Sequence, residues 1–231
     1  MTDYEHGTGN NIAMTSLNVP LALQNAYLFE LKPDLKAVAL LYNKNHKQVV
    51  ATEVVPMRAA LRKLGLTVVD VAVSAQDTSA VELHEQMPRA LRELREADPG
   101  LRNSIFWLTS STAVFSQLST VVKLADSVPV VSGIPNAVRP GEESAVLSVG
   151  IDRRSNARLA AIYASRILRG EVRPGELKLG VVTPPDIAIN FGVANRLDLR
   201  MPFRFLESAS FVYGYDYEPL RSFGRNVVAR R

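Results

Sequence analysis

Four short apolar runs alternate with three segments of helical spacing between Ala37 and Gly133, and this alternation constrains the fold of the chain most strongly. The runs are AVALLYN, TVVDVAV, SIFWLTSS and PVVSG. Such a rhythm is typical of parallel strands joined by crossover helices, so the sequence predicts an α/β protein with a parallel sheet flanked by helices. Open sheets of this kind bind ligands at the carboxyl ends of their strands. The residues that follow each strand are therefore the first candidates for function.

The segments around these runs predict further helices and strands, some of them more clearly than others. A helix is predicted from about Gln48 to Leu64, although Pro56 falls inside it. Ser79 and Glu82 have capping-box spacing, which predicts that a helix begins there. The further elements that we predict are a strand over 144–151, an alanine-rich helix over 156–168, a short helix over 187–199 and a tail over 207–231.

Composition and missing motifs argue against several classes of function. The sequence contains no cysteine, so it has no disulfide, thiolate metal site or cysteine nucleophile. Walker A and G-x-S-x-G sequences are absent, and the three histidines lack the spacing of metal ligands. The net charge of +4 is small and no basic run contains interleaved aromatic residues, which argues against a nucleic-acid partner. We therefore expect no metal, no cofactor and no enzymatic reaction.

Polar or small residues follow four of the predicted strands and form the candidate ligand site. They are Tyr42 and Asn43 after the first strand, Thr109, Ser110 and Ser111 after the third, Ser132 and Gly133 after the fourth, and Asp152 after the strand over 144–151. In a parallel sheet these loops converge on one edge. The hydroxyl groups over 109–111 are suited to a ligand carboxylate, Asp152 to a ligand amine, and Tyr42 to a flat apolar wall.

The same residues have structural interpretations that the sequence leaves open. Ser110, Ser111 and Asp152 each stand where a helix N-cap belongs. Asn43 also suits a turn. Because no residue pattern resembles an activated nucleophile or an acid–base pair, binding without chemistry is favoured over catalysis.

The order of these segments resembles that of ABC-transporter solute-binding proteins, in the branch that includes tryptophan- and tyrosine-binding members. The segments that carry the resemblance are GTGNNIAMTS, VALLYNKN, RKLGLTVV, VAVSAQDT, IFWLTSSTAV, the run from PVVSGIPNAVRPGEES to SRILRGE, and AINFGVANRLDLRMP. Members of this family have a type I periplasmic-binding fold, in which two α/β lobes joined by a three-segment hinge close around the ligand. The resemblance implies ligand contacts at the candidate residues named above and a hinge role for Asn190.

The resemblance also implies that most of the family's N-terminal lobe is missing from this sequence. The resemblance implies one complete lobe plus part of a second. Its expected divisions are an irregular segment and crossover strand over 1–16, a C-terminal-lobe-like α/β domain over 17–152, segments returning to the incomplete lobe and hinge over 153–206, and the tail over 207–231. The alanine-rich helix would then expose a face that a lobe normally covers, which favours a homo-oligomer or a partner chain.

The resemblance implies that the chain captures a small organic solute, such as an amino acid, and passes it to an ABC permease without a cofactor. It also implies a periplasmic location. The first residues as given contain no signal peptide, so a cytoplasmic location is expected if that start is correct. A ligand-sensing regulatory module of the same fold is the main alternative, and a Rossmann-like enzyme is a weaker one.

Overall fold

The computed structural model of the chain describes residues 6–227, and nine strands of this part form one sheet. The strands are β1 Ala37–Asn43, β2 Thr67–Val73, β3 Ser104–Leu108, β4 Val130–Ser132, β5 Leu147–Gly150, β6 Asp186–Asn190, β7 Ala209–Tyr213, β8 Pro219–Ser222 and β9 Arg225–Asn226. Their order across the sheet is β2-β1-β3-β4-β5-β6-β7-β8-β9. Strands β1 to β5 are parallel to one another, whereas β6 is antiparallel to β5. The predicted α/β fold class with a mostly parallel sheet is confirmed.

Helices cover both faces of the sheet. They are α1 Leu21–Leu31, α2 Lys47–Val49, α3 Val55–Lys63, α4 Ser79–Ala97, α5 Thr112–Phe115, α6 Leu118–Leu124, α7 Arg153–Leu168, α8 Phe191–Arg196 and α9 Phe203–Ser208. Side chains of α4, α5 and α6 pack in one buried cluster with the sheet, and those of α1, α3, α8 and α9 pack in a second. The first six residues of β1 are buried because they lie between these two layers, as a continuous apolar run predicts.

The helix predicted from Gln48 to Leu64 forms, but with an irregular middle. The chain passes from α2 through a π-helical turn, Val50–Val54, directly into α3. Pro56 lies in the first turn of α3, where its missing N–H costs no intrahelical hydrogen bond. The wider turn that precedes it therefore accommodates the proline without ending the helix.

The C-terminal part of the chain differs most from the sequence-based expectation. The predicted helix over 187–199 is wrong at its start, since Asp186–Asn190 is a buried strand and the helix covers only Phe191–Arg196. The tail expected over 207–231 contributes β7, β8 and β9, as far as the described residues reach. The predicted strand over 144–151 is shorter, Leu147–Gly150, because its first residues form a loop.

Helix α7 stands apart from both layers of the sheet. None of its residues is buried, and Ile162 and Leu168 are 52% and 86% exposed. It contacts the segment around Gly180 instead, since the Tyr163 hydroxyl donates to the Lys178 carbonyl at 3.2 Å, and a bridge joins Gly180 to Thr15. The predicted exposure of an alanine-rich face is therefore observed. None of the helices within residues 6–227 combines the length and apolar character needed to cross a membrane.

Candidate ligand-binding cleft

A cleft of about 740 Å³ lies at the carboxyl edge of the parallel strands. Because β1, β3, β4 and β5 are neighbours and run in the same direction, the loops that follow them meet there. The lining residues are contributed by 15–24, by α2 and the π turn, and by the loops after β3, β4 and β5. Its volume falls within the usual range for small-molecule sites.

Three of the candidate site residues line this cleft: Ser110, Gly133 and Asp152. Asp152 is the N-cap of α7, since its Oδ1 accepts a hydrogen bond of 2.8 Å from the Arg154 N–H. Asp152 is therefore both a helix cap and a lining residue of the cleft. Ser110 does not cap a helix, because its backbone N–H donates to Glu53 Oε2 at 3.0 Å and its hydroxyl donates to Glu53 Oε1.

The other hydroxyl residues of the candidate site are used inside the protein. The Thr109 hydroxyl donates to the Leu41 carbonyl at 2.7 Å and the Ser132 hydroxyl donates to the Leu108 carbonyl at 3.0 Å. These contacts tie β3 to β1 and β4 to β3. Ser111 is 1% exposed, and its Oγ has no hydrogen-bond partner within the described residues. None of these three side chains lines the cleft.

Tyr42 and Asn43 also lie outside the cleft lining. The Tyr42 ring is buried in the second core cluster, and its oxygen accepts a hydrogen bond of 3.2 Å from Arg58. Burial, with a further contribution from the charge of Asp70, raises the pKa of Tyr42 above its ordinary value. Asn43 shapes a turn, because its Oδ1 accepts from the Asn45 N–H at 2.8 Å. The turn that the sequence allowed for Asn43 therefore accounts for its side-chain hydrogen bond.

Asn190, for which the resemblance implied a hinge role, lies at the opposite edge of the sheet. Since β6 is antiparallel to β5, its last residue is remote from the carboxyl ends of β1 to β5. The Asn190 Oδ1 caps α8 by accepting from the Val193 N–H at 3.0 Å. Its Nδ2 donates to the carbonyls of Arg139 and Gly141. These bonds explain its complete burial without a hinge function.

The helical segment after β1 supplies cleft residues that the sequence analysis missed. His46, Gln48, Thr52 and Glu53 all line the cleft. Val49 and Val54 are buried and fix this segment on the sheet. A signal was present in the sequence, since the first turn of a crossover helix lies at the carboxyl edge of the strand before it. In the sequence analysis this segment was interpreted only as a helix with an apolar face, so its polar residues were not considered for the cleft.

A small network anchors the rim of the cleft where the chain enters α7. Asp186, at the start of β6, accepts hydrogen bonds from the Asp152 N–H at 2.8 Å and from the Ser210 hydroxyl at 2.9 Å. The Arg154 guanidinium lies 4.3 Å from the centre of the Phe223 ring, a cation–π contact. The start of α7 is thus held at Asp152 by β6 and at Arg154 by the turn between β8 and β9.

This architecture is that of an open α/β protein that binds a ligand at its strand ends, and comparison with known sequences agrees. A profile of the family described as ABC transporter substrate binding protein matches residues 2–212. The chain therefore belongs to the ABC transporter substrate-binding protein family. A search of curated proteins gave no significant match.

Solved structures share the fold at low sequence identity. The ABC domain in complex with L-Trp from Streptococcus pneumonia is 22% identical, with a TM-score of 0.66, over 90% of this chain and 65% of its own. The ligand-free, open structure of CD0873, a substrate binding protein with adhesive properties from Clostridium difficile, is 17% identical, with a TM-score of 0.67, over 88% and 63%. A conserved domain protein from Vibrio cholerae is 20% identical, with a TM-score of 0.63, over 87% and 62%. The chain thus spans less than two thirds of the length of each of these structures.

Proposed function

We propose that the chain captures a small organic solute in the cleft at the carboxyl edge of its sheet and serves an ABC importer. The cleft itself carries this proposal, because it brings polar side chains from several loops together around a volume suited to a small molecule. Membership of the substrate-binding family supports the same role. The proposed capture involves no covalent step, a second lobe closes over the ligand, and an ABC permease receives it.

An amino acid is the first ligand class to test. The cleft lining includes carboxylate side chains, Glu53 and Asp152, and a guanidinium, Arg153. A zwitterion has both complementary charges. The L-Trp complex of a protein with the same fold supports this choice. The family's typical location supports a periplasmic site of action.

The proposal predicts that a panel of the twenty protein amino acids contains at least one that stabilises the full 231-residue chain against heat. A ligand at 100 times its Kd adds about 2.7 kcal/mol to the free energy of unfolding. For a domain of this size that raises Tm by about 5 to 10 °C. Differential scanning fluorimetry gives the shift, and isothermal titration calorimetry gives the Kd of each hit.

A matched pair of variants shows whether a hit binds in the cleft. Thr52→Trp places a large ring in the cleft, because Thr52 lines it. Ala51→Trp places the same ring on the exposed neighbour, which does not line it. The first variant should abolish the shift and the second should keep it. No stabilisation by any amino acid, or equal loss in both variants, contradicts the proposed site.

A further inference from the structure

Glu53 and Ser110 are hydrogen-bonded to each other at the lining of the cleft, although 57 residues separate them in sequence. Both residues line the cleft. Glu53 lies on the π turn Val50–Val54, between the buried residues Val49 and Val54. A π turn inside a helix often marks a functional site because it redirects side chains. Here it places a carboxylate at the mouth of the loop after β3.

We infer that Glu53 binds a positively charged nitrogen of the ligand, so that the cleft takes a primary amine or related cation and does not hold a ligand carboxylate at Ser110. The inference rests on the proposed function, since it specifies the ligand of the same cleft. It reverses the expectation drawn from the sequence, in which the hydroxyl groups over 109–111 receive a carboxylate.

The available hydrogen-bond donors support this assignment. Both donors of Ser110 are already directed at the Glu53 carboxylate. The Thr109 hydroxyl is directed at the Leu41 carbonyl, and the Ser111 hydroxyl does not line the cleft. The side chains over 109–111 therefore offer no free donor to an anion in the cleft, and the Thr112 hydroxyl, on the first residue of α5, is the donor that this part of the chain leaves in the lining. A ligand carboxylate at this position would also meet the negative charge of Glu53, which disfavours binding.

The available acceptors point the same way. An ionised carboxylate offers about four lone-pair sites, and Ser110 occupies two of those on Glu53. Asp152, also in the cleft lining, accepts its capping bond from the Arg154 N–H at Oδ1, which leaves Oδ2 as a further acceptor. The Asn156 Oδ1, on a residue that lines the cleft, has no hydrogen-bond partner within residues 6–227. A ligand group with several N–H donors satisfies acceptors of this kind.

Ser110 acts in this arrangement as a positioning residue. Its two bonds restrict the Glu53 carboxylate to one orientation, with the remaining lone pairs available to the cleft. Arg153 and His46 also line the cleft. Their side chains can donate hydrogen bonds to an anionic group at the other end of the ligand. The assignment therefore fits an amino acid as well as a simple amine, and it excludes a ligand whose only charge is negative.

The test compares each amino acid that stabilises the protein with its decarboxylated amine and its deaminated acid. We expect the amine to retain binding and the deaminated acid to lose it. Glu53→Gln keeps the shape and an acceptor for Ser110 but removes the charge, and it should weaken binding of the amine by about tenfold or more. Glu85→Gln, an exposed substitution on α4 outside the cleft, should leave the Kd unchanged.

Other results separate this inference from the proposed function. Equal affinity for the deaminated acid, an unchanged Kd in Glu53→Gln, or tighter binding of carboxylic acids by Glu53→Gln overturns the assignment and leaves solute binding in place. Tighter binding of carboxylic acids by Glu53→Gln would mean that the charge of Glu53 repels a ligand carboxylate that binds beside it. Failure of every compound to stabilise the wild-type chain overturns the proposed function and the assignment with it.

Discussion

Gly150, the last residue of β5, shows how closely the loops at the cleft approach one another. A Cβ at this position would lie 2.1 Å from the carbonyl oxygen of Gly133 and 2.7 Å from the Pro135 ring. The obstacle includes backbone, so a side chain cannot be accommodated by a rotamer change. Gly133 is less constrained, since its Cβ would lie 3.5 Å from Trp107 and 3.6 Å from Gln24, which are ordinary contact distances.

Gly150→Ala should therefore destabilise the protein while Gly133→Ala should not. Forcing extra atoms into a packed site costs about 1–3 kcal/mol. The free energy of unfolding, measured by urea denaturation, should fall by that amount for Gly150→Ala and change by less than about 0.5 kcal/mol for Gly133→Ala. Equal stability of the two variants would show that the loops after β4 and β5 separate easily.

The individual residues of the cleft were only partly predictable. Asp152 and Ser110 could be placed because each follows a strand whose direction the sequence revealed. Thr109 and Ser132 also follow strands, yet their hydroxyl groups turn inward to neighbouring carbonyls. Sequence position alone does not distinguish these cases, because alternate residues of an extended chain point to opposite sides. Glu53 was missed because its helix was interpreted by its apolar face alone, and its partner Ser110 is too distant in sequence to draw attention to it.

The start of α4 is held to the end of β2 by one carboxylate. The spacing of Ser79 and Glu82 predicted a capping box, but the N-cap is Thr78. Glu82 accepts hydrogen bonds from the Thr78 hydroxyl, the Ser74 hydroxyl and the Ser74 N–H. The hydrogen bonds from Thr78 and then Ser74 lower the pKa of Glu82 from its model-peptide value of 4.5.

This lowered pKa predicts how the stability of the α4 start depends on pH. A carboxyl group whose pKa is lower in the folded state stabilises the protein above its unfolded pKa, and this contribution is lost as the pH falls through the folded pKa. Glu82→Gln should therefore be less stable than wild type at pH 7, and the difference should shrink as the pH falls below about 4.5. Glu85→Gln on the same helix should show no such trend.

Urea denaturation of the three proteins between pH 7 and pH 3 provides the measurement. A stability difference between Glu82→Gln and wild type that stays constant over this range would contradict the role of the charge. It would mean that shape and neutral hydrogen bonding at the α4 start suffice.

Strands and helices were predictable where one face or both faces are buried in a regular pattern. β1, β2, β3 and β4 were recognised by their apolar runs, and α4 by its periodic apolar face. Asp186–Asn190 was misassigned because it is only five residues long and continues directly into α8. A short apolar run of this kind fits a buried strand or a buried helix turn equally well. The π turn has no sequence signature beyond Pro56, which limits where the regular helix begins.

For the molecule as a whole, the contrast between the sheet with its helices and the exposed α7 predicts unequal local stability. Six residues of α4 are buried, whereas none of α7 is. Helical stability in proteins comes mainly from packing of an apolar face. Amides of α7 should therefore exchange hydrogen for deuterium through local opening, well before those of α4.

Hydrogen–deuterium exchange followed by mass spectrometry measures this difference directly. Peptides covering 153–168 should exchange faster than peptides covering 79–97 in the isolated chain. Equal protection of the two helices would contradict the prediction and would indicate that α7 is covered in solution. The expected homo-oligomer stays a prediction, and the same experiment repeated over a range of protein concentrations tests it.

From β3 to β9 the order of strands across the sheet is the order in which the chain is synthesised. Each strand after β3 therefore finds its inner neighbour already made when it leaves the ribosome, even where a long connection intervenes, as the one over 151–185 does between β5 and β6. The sheet is extended in one direction by successive strands. This growth from one margin favours an early, correctly aligned nucleus around β1 and β3, onto which the later strands add without threading past finished structure.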